Sequence, residues 1–186
     1  MIKQEFLEAK KVLESFLSDD TSFERIELAG SLMVESLKKG HKLISCGNGG
    51  SMSDAMHFAE ELSGQFRDHR KAFAAISISD PAHITCTGND FGFDQVFSRY
   101  IEALGMEGDV LLAISTSGNS ANIIRAAEVA RSRGMKVVGL TGKDGGRLSG
   151  ICDVEIRAPY SAYSDRTQEI HIKIIHALIY YIEKNI

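Results

Sequence analysis

Scarce residue types already restrict what the protein can be. Tryptophan is absent, proline occurs twice and cysteine three times in 186 residues. The cysteines, Cys46, Cys86 and Cys152, are too far apart for a CxxC zinc or redox pair and do not make an even disulfide set. We therefore expect reduced thiols, most of them buried.

A surplus of basic charge is also missing. Lys and Arg total 21 against 25 Asp and Glu, which gives a formal net charge of −4. Because binding to a phosphate backbone exploits clustered positive charge, this balance argues against nucleic acid as a partner.

Long hydrophobic runs are absent as well. The longest unbroken apolar run covers six residues, Ala177 to Ile182, whereas a bilayer-spanning helix needs about 20. The first residues, Met1 to Phe6, turn polar and acidic at once and lack the apolar stretch of a signal peptide. These absences predict no membrane segment and a cytoplasmic location.

The regular patterns that are present predict an α/β fold. Residues 3–39 have apolar residues at helical spacing, with a break at Ser18 to Thr21 and a stop at Gly40, so they predict two amphipathic helices. After them, short apolar runs alternate with helical spacing. The runs that predict strands are 42–46, 72–77, 110–114, 136–140 and 153–156. The stretches that predict helices are 51–64, 93–103, 120–133 and 160–184.

Alternation of strands and helices predicts a doubly wound parallel sheet of about five strands, flavodoxin-like, with helices on both faces. No repeat, low-complexity tract or linker divides the chain, so we expect one domain over 1–186. Residues 1–39 would form a packing or oligomer layer and residues 40–186 the α/β core. Ligands of such sheets bind beyond the carboxyl ends of the strands, which directs attention to the loops that follow them.

The loop after the first strand reads Cys46-Gly47-Asn48-Gly49-Gly50-Ser51. Its bare backbone can approach a ligand closely. A GxGxxG dinucleotide fingerprint would need glycine where Met52 stands, and no Walker motif follows. Taken alone, this loop fits a ligand-free tight turn about as well as a binding site.

The loop after the third strand carries four hydroxyls just before a helix. They belong to Ser115, Thr116, Ser117 and Ser120. Unpaired N–H groups and the dipole of a helix N-terminus attract anions, and hydroxyls donate further hydrogen bonds. One hydroxyl could simply cap the helix, but four with a glycine between them favour a phosphate site.

A third polar loop follows the second strand after a short intervening segment. It reads Gly88-Asn89-Asp90-Phe91-Gly92 and could present Asn89 and Asp90 to sugar hydroxyls. A plain Asx turn explains the same residues nearly as well.

Histidine and carboxylate spacing points to a possible metal site. His57 and Glu61 are four residues apart and share one helical face, as a surface hydrogen-bonding pair would also do. The last predicted helix carries Gln168 and His176. A histidine flanked by apolar residues, as His176 is, is usually a satisfied core residue, but with His57 and Glu61 it would complete a His/Glu/His set for a divalent ion. Gln168 and His176 are about 12 Å apart along one helix axis. Two ligands of one ion must therefore reach toward each other or come from different subunits.

The motifs together, in order along nearly the whole chain, resemble the phosphoheptose isomerases of the sugar-isomerase (SIS) fold. The stretches that carry this resemblance are Cys46 to Ser51, Asp54 to Glu61, Gly88 to Gly92, Ile114 to Ser120, Leu140 to Gly146 and Gln168 to Lys173. The loop with the four hydroxyls alone indicates only an SIS domain, which regulators and other sugar-phosphate isomerases also use. The His57/Glu61 and Gln168/His176 pairs make the resemblance specific.

The resemblance implies a cytoplasmic homotetramer that isomerises D-sedoheptulose 7-phosphate to D-glycero-D-manno-heptose 7-phosphate, the first step toward the heptoses of bacterial surface polysaccharides such as lipopolysaccharide. It also implies one Zn²⁺ per subunit and an active site near the subunit interfaces. The zinc ligands that it implies are His57, Glu61, Gln168 and His176. The substrate-binding residues that it implies are Asn48, Gly49, Gly50, Ser51, Glu61, Asn89, Asp90, Ser115, Thr116, Ser117, Ser120, Asp165 and Gln168.

An aldose-ketose isomerisation moves one proton between carbons and another between oxygens, so it needs no nicotinamide. We assign Glu61 to the carbon-bound proton and His176 to the oxygen or ring-opening step. Two alternatives stay open. One is a noncatalytic SIS adaptor that resembles the replication-initiator-associating proteins, and the other is an isomerase of another sugar phosphate of six or seven carbons.

Overall fold

A computed structural model describes residues 1–186. The α-helices are α1 Ile2–Leu17, α2 Asp20–Lys38, α3 Gly50–Ser63, α4 Pro81–Phe91, α5 Ser98–Leu104, α6 Ala121–Ser132, α7 Gly146–Ser149 and α8 Ser164–Asn185, with one 3₁₀ turn at Phe93–Gln95. The strands are β1 Leu43–Gly47, β2 Ala75–Ser77, β3 Val110–Ile114, β4 Lys136–Thr141 and β5 Val154–Arg157. No helix combines the length and the apolar character that crossing a bilayer requires.

The two leading helices meet where the sequence predicts. Asp19 is the N-cap of α2, and its carboxylate accepts hydrogen bonds from the Thr21 N–H at 3.1 Å and the Ser22 hydroxyl at 2.8 Å. Gly40 follows the end of α2 with φ +83°, a left-handed conformation that glycine adopts without steric cost.

The sheet has the strand order β2-β1-β3-β4-β5, and all four neighbouring pairs are parallel. In this order the chain reverses direction across the sheet between β1 and β3, where Leu43 pairs with Val110 and Gly47 with Ile114. A doubly wound sheet opens its ligand crevice at that switch point, beyond the carboxyl ends of the strands. The predicted fold class is confirmed.

Helices cover both faces of the sheet because side chains along each strand alternate between faces. On β3, Val110, Leu112 and Ile114 join one buried cluster, which α1, α2, α3 and α8 complete. Leu111 and Ala113 join the opposite cluster, to which α5 and α6 contribute. All five of these β3 residues are at most 1% exposed, and the two-sided burial explains why the central strands are continuous apolar runs.

Three predicted elements differ in detail from the structure, and one short element was not predicted. The second strand is Ala75–Ser77 rather than 72–77, and the helix expected over 93–103 divides into a 3₁₀ turn and α5. The last helix begins at Ser164 rather than at 160, and Gly146–Ser149 forms a single helical turn that we did not predict. Such boundaries depend on caps and tertiary contacts more than on periodicity.

The polar loop expected at 88–92 is largely helical. Residues 88–91 are the last turn of α4, which begins after the N-cap Asp80 with Pro81 in its first turn. Asp80 accepts a hydrogen bond from the His83 N–H at 2.7 Å. An N-cap followed at once by proline is a helix-start signal that we missed, because Gly88 and β-branched residues obscure the periodicity after it.

Candidate active site

Two loops border the crevice between β1 and β3. The first, residues 47–51, leads from β1 into α3, and the second, residues 115–120, leads from β3 into α6. Gly49 has φ +56°, and a Cβ added to it would meet no atom within 4 Å, so its backbone faces open space. Gly50 differs, since a Cβ there would lie 2.6 Å from the Gln168 amide nitrogen. Glycine at 50 therefore lets the side chain of α8 reach the start of α3.

The second loop, which we call the serine loop, concentrates hydroxyls at the N-terminus of α6. The Ser115 hydroxyl donates to the Ser120 hydroxyl at 3.2 Å, and Ser115 is buried. Ser120 is the N-cap residue of α6, yet its side chain makes no capping hydrogen bond. Capping alone therefore does not explain the hydroxyls, and the loop has the donors that a phosphate requires.

Residues 145–148, at the start of α7, pack against the serine loop and hydrogen-bond to it. The Leu148 N–H donates to the Gly118 carbonyl at 2.9 Å, and the Arg147 N–H donates to the Asn119 side-chain oxygen at 3.1 Å. Gly118 has φ +64°, and a Cβ there would lie 1.9 Å from the Gly145 carbonyl oxygen. The glycine-rich stretch 140–146 thus packs backbone to backbone against the serine loop, and Asn119 is a supporting residue that the sequence analysis missed.

A pair of asparagines joins the two loops across the crevice. The Asn48 amide donates to the Asn122 oxygen at 2.9 Å, and the Asn122 amide donates back to the Asn48 oxygen at 2.9 Å. Asn122 lies in the first turn of α6 and is 2% exposed. We predicted Asn48 as a site residue but not Asn122. A polar residue on the buried face of a helix is the sequence signal that could have identified it.

Three side chains from α3 and α8 form the one cluster of metal-ligand type in the structure. The ligand atoms of His57, Glu61 and His176 all lie within 4.8 Å of one another. His57 Nε2 is 3.0 Å from His176 Nε2 and 3.4 Å from Glu61 Oε1. The helical spacing that placed His57 and Glu61 on one face is therefore confirmed, and α8 brings His176 to the same point.

The spacing of this triad fits a tetrahedral divalent ion. Ligands about 2.1 Å from a tetrahedral centre are about 3.4 Å apart, close to the two shorter separations observed here. Two imidazoles and one carboxylate are also a ligand set that zinc enzymes use at catalytic sites, with a position left for water or substrate. The triad is therefore a possible metal site.

The electrostatic environment favours neutral, ligand-competent imidazole at His176. Burial lowers the pKa of His176 below its usual value, and the neighbouring His57 lowers it further, while Glu61 opposes the shift. Phe66 stacks on the His176 ring with centroids 5.7 Å apart. A metal ion needs a deprotonated ring nitrogen, so the direction of this shift favours metal binding.

One turn before His57, Asp54 has an unusual environment. Its Oδ2 atom is buried without a hydrogen-bond partner. Burial raises the pKa of the Asp54 carboxyl to about 6, although the charge of His57 opposes this effect. The sequence analysis gave Asp54 no role beyond its place in a motif.

The other predicted site residues lie around these two centres. Gln168 is in the first turns of α8 with its amide against Gly50, about 12 Å along the helix from His176. Asp165 is exposed in the first turn of α8, where its Oδ1 accepts from the Arg166 N–H at 2.9 Å. Asn89 and Asp90 are exposed on the last turn of α4, and the Asn89 amide donates to Asp90 at 2.8 Å. Within one chain, Gln168 is therefore close to the glycine loop rather than to the triad.

Of the three thiols, Cys46 is buried, Cys152 is half-buried and Cys86 is exposed, and all three are free. Burial raises the pKa of both Cys46 and Cys152 to about 12, so neither is a nucleophile near neutral pH. The site chemistry rests on the triad and the two loops.

Comparisons with known proteins identify the family of the chain. The family model of the SIS domain matches residues 6–142. The phosphoheptose isomerase of Vibrio cholerae is 57% identical over 184 residues, which cover 99% of this chain and 96% of the relative. That of Escherichia fergusonii is 59% identical with the same coverage.

The solved structure of phosphoheptose isomerase from Neisseria gonorrhoeae superimposes with a TM-score of 0.91 at 40% identity, over 98% of this chain and 97% of the other. The match thus covers the leading helices, both loops and the C-terminal helix that carries His176. The resemblance inferred from the motifs is confirmed, and the chain belongs to the phosphoheptose isomerases, a family of SIS-domain enzymes.

Proposed function

We propose that the protein converts D-sedoheptulose 7-phosphate to D-glycero-D-manno-heptose 7-phosphate. The observation that carries this proposal is the triad of His57, Glu61 and His176, whose ligand atoms converge within 4.8 Å. An adaptor that only bound a sugar phosphate would need the serine loop but not this triad. The phosphoheptose isomerase relatives support the choice of substrate.

The serine loop holds the phosphate in this proposal. The hydroxyls of Ser115, Thr116, Ser117 and Ser120 and the N-terminus of α6 supply donors without any lysine. Asn48, Gly49, Gly50 and Ser51 contact the sugar from the loop after β1. Asn89, Asp90, Asp165 and Gln168 complete the shell around the sugar hydroxyls.

The chemistry transfers two protons. Glu61 removes a proton from C1 of the open-chain ketose and returns it to C2, and the hydroxyl proton passes from O1 to O2 with His176 serving the oxygens. The side chain of Glu61 is 17% exposed, so the carboxylate is largely shielded from solvent. The reaction involves no net oxidation.

We propose zinc as the metal, one ion per subunit, with His57, Glu61 and His176 as ligands and Gln168 as the fourth. When bound, the ion stabilises negative charge on the sugar oxygens of the enediolate. A separation of about 12 Å between Gln168 and His176 along α8 favours a ligand set that two subunits share. We accordingly propose a homotetramer with its active sites near the subunit interfaces.

Turnover of sedoheptulose 7-phosphate in D₂O tests this function. We expect NMR to detect an aldoheptose 7-phosphate with deuterium at C2, loss of turnover after chelation, and recovery with added zinc. Glu61→Gln should retain a folded protein and reduce kcat at least about 100-fold, since the carbon-bound proton loses its base. His41→Ala, which changes a histidine outside the triad, is the control.

Two outcomes would contradict the proposal. Normal turnover by zinc-loaded Glu61→Gln would remove Glu61 from the base role. A folded wild-type protein that turns over no sedoheptulose 7-phosphate with any added metal would redirect the assignment to another sugar phosphate or to an adaptor role.

A further inference from the structure

We propose that Asn122 is a positioning residue, which locks the loop after β1 to the serine loop through its paired carboxamide contact with Asn48. This inference rests on the proposed function, because the two loops are the ones that hold the sugar and its phosphate. It assigns to Asn122 a role that neither the sequence motifs nor the triad includes.

The contact is reciprocal and partly buried. Each amide nitrogen donates to the other residue's carbonyl oxygen at 2.9 Å, so the two carboxamides form a closed ring of two hydrogen bonds. Asn122 is 2% exposed, and the partners are 74 residues apart in sequence. The ring crosses from the end of β1 to the start of α6, at the switch point where the crevice opens.

The chemistry of the pair restricts which residue can stand at 122. A carboxamide offers two N–H donors and one oxygen with two lone pairs. The ring uses one donor and one lone pair of Asn48, so the second N–H and the second lone pair of Asn48 stay available to a sugar hydroxyl. Asn122 therefore fixes the rotation of the Asn48 side chain and decides which edge it presents to substrate.

The same contact also links Asn48 to the phosphate site. Asn122 follows Ser120 by two residues on α6, and the Ser120 hydroxyl accepts from Ser115 at 3.2 Å. A shift of α6 that breaks the asparagine ring would move the serine loop relative to the loop after β1. Loss of the ring should therefore weaken substrate binding and also misplace C1 relative to Glu61.

Asn122→Asp separates this role from a merely structural one. An ionised carboxylate has no donor for the Asn48 oxygen, so the ring opens. A protonated carboxyl has one O–H donor and one carbonyl acceptor, so it restores both hydrogen bonds with nearly the same shape. Burial and the facing Asn48 oxygen both favour the protonated form and raise the pKa of the introduced carboxyl above its usual value of about 3.9.

The experiment measures kcat/KM of Asn122→Asp relative to wild type from about pH 8 to about pH 5, with zinc-loaded protein at every point. The ratio cancels the titration of the triad and of the substrate phosphate. At about pH 8 we expect kcat/KM of Asn122→Asp to be about 10- to 100-fold below that of wild type, the usual result of leaving a buried polar group unpaired. That deficit should shrink at least about fivefold as the pH falls.

Two further variants complete the test. Asn122→Ala should show a deficit of similar size at every pH, because alanine cannot regain the ring. Asn185→Asp introduces the same charge on an exposed residue near the end of α8, and it should match wild type throughout. Circular dichroism and thermal unfolding check that each variant is folded at each pH.

The outcomes separate this inference from the proposed function. If wild type is active, either of two results overturns the positioning role and leaves the isomerase assignment intact. One is a kcat/KM of Asn122→Ala equal to that of wild type, and the other is a pH-independent deficit in folded Asn122→Asp. An inactive wild type overturns the isomerase assignment, and the positioning role for that reaction with it.

Discussion

At the scale of single residues, His171 is a titratable side chain that is fully removed from water. It is fully buried on α8, and its Nε2 donates to the Thr141 carbonyl at 2.8 Å, which fixes the tautomer because a carbonyl only accepts. Its Nδ1 is buried without a partner. Burial lowers the pKa of His171 from 6.5 to about 4, with the Thr141 hydrogen bond opposing the shift. The ring is therefore neutral at any pH near 7.

This shift predicts a loss of stability in mild acid. The unfolded chain binds a proton at His171 near pH 6.5 and the folded chain only near pH 4. Stability therefore falls as the pH decreases through that window. Between pH 7 and pH 5 the residue should cost about 2 kcal/mol of unfolding free energy. His171→Gln keeps an N–H for Thr141 but does not titrate. Its unfolding free energy should therefore fall by about 2 kcal/mol less than that of wild type between pH 7 and pH 5.

Urea unfolding at pH 7 and pH 5, at one fixed protein concentration, measures this difference. His69→Gln, at an exposed histidine, controls for the loss of an imidazole as such. An equal pH-dependent loss in wild type and His171→Gln would contradict the assignment of the effect to His171.

At the scale of elements, the conformation of the serine loop is stabilised by its contacts with residues 145–148. Residues 145–148 hold one backbone carbonyl of the loop, that of Gly118, and one side chain, that of Asn119. Gly118 also packs against the Gly145 carbonyl, where any Cβ would overlap it. The proposed phosphate site thus includes supporting residues that would contribute no group to the ligand. Its glycines serve close packing as well as backbone conformation.

Gly118→Ala tests these supporting contacts against a matched glycine. Gly118 and Gly40 both have positive φ, +64° and +83°, but a Cβ at Gly40 would meet nothing within 4 Å. Gly40→Ala should cost only conformational strain, about 1 kcal/mol. Gly118→Ala adds overpacking and should cost about 2–4 kcal/mol in total.

Thermal unfolding of both variants gives the stability difference, and substrate titration gives the functional one. KM for the sugar phosphate should rise in Gly118→Ala and stay unchanged in Gly40→Ala. Similar losses in the two variants would mean that the contact with Gly145 does not constrain the serine loop.

The spacing of apolar residues was enough to predict most helices and strands, because each of these elements has its own local hydrophobic pattern. It failed at α4, where the start signal at Asp80 and Pro81 was stronger than the helical spacing after it. At the site, helical spacing placed His57 and Glu61 together. Residue type made His176 a candidate third ligand, and the resemblance made the set specific. No local pattern predicts the contact of α8 with α3, or that of Asn48 with Asn122, which are 74 residues apart.

At the scale of the whole molecule, the outer faces of the two leading helices are too apolar for a helix surface that faces only water. Phe6 is 74% exposed on α1 and Leu28 is 53% exposed on α2. Ile2, Leu7 and Leu17 on α1 are also exposed. So many exposed large apolar side chains on two helices are typical of a protein contact, which supports the proposed tetramer.

Replacing Phe6 and Leu28 together by serine should therefore dissociate the assembly and reduce turnover, since the proposed active sites lie near subunit interfaces. Light scattering should change from four chain masses to a smaller number, while circular dichroism stays that of a folded α/β protein. Leu104→Ser, at a residue 48% exposed at the end of α5, is the control. Wild-type mass and turnover in the double variant would exclude these helices from the interface.

The positions of the triad residues in the sequence also determine when, during synthesis, all three side chains can come together. His57 and His176 are 119 residues apart, and α8 leaves the ribosome after every other element of the fold. A nascent chain with all five strands paired would still lack the second imidazole, so the triad would be incomplete. Docking of α8 also completes the buried cluster on one face of the sheet, to which Ile174, Leu178 and Ile182 contribute. Folding of that face and assembly of the triad therefore coincide.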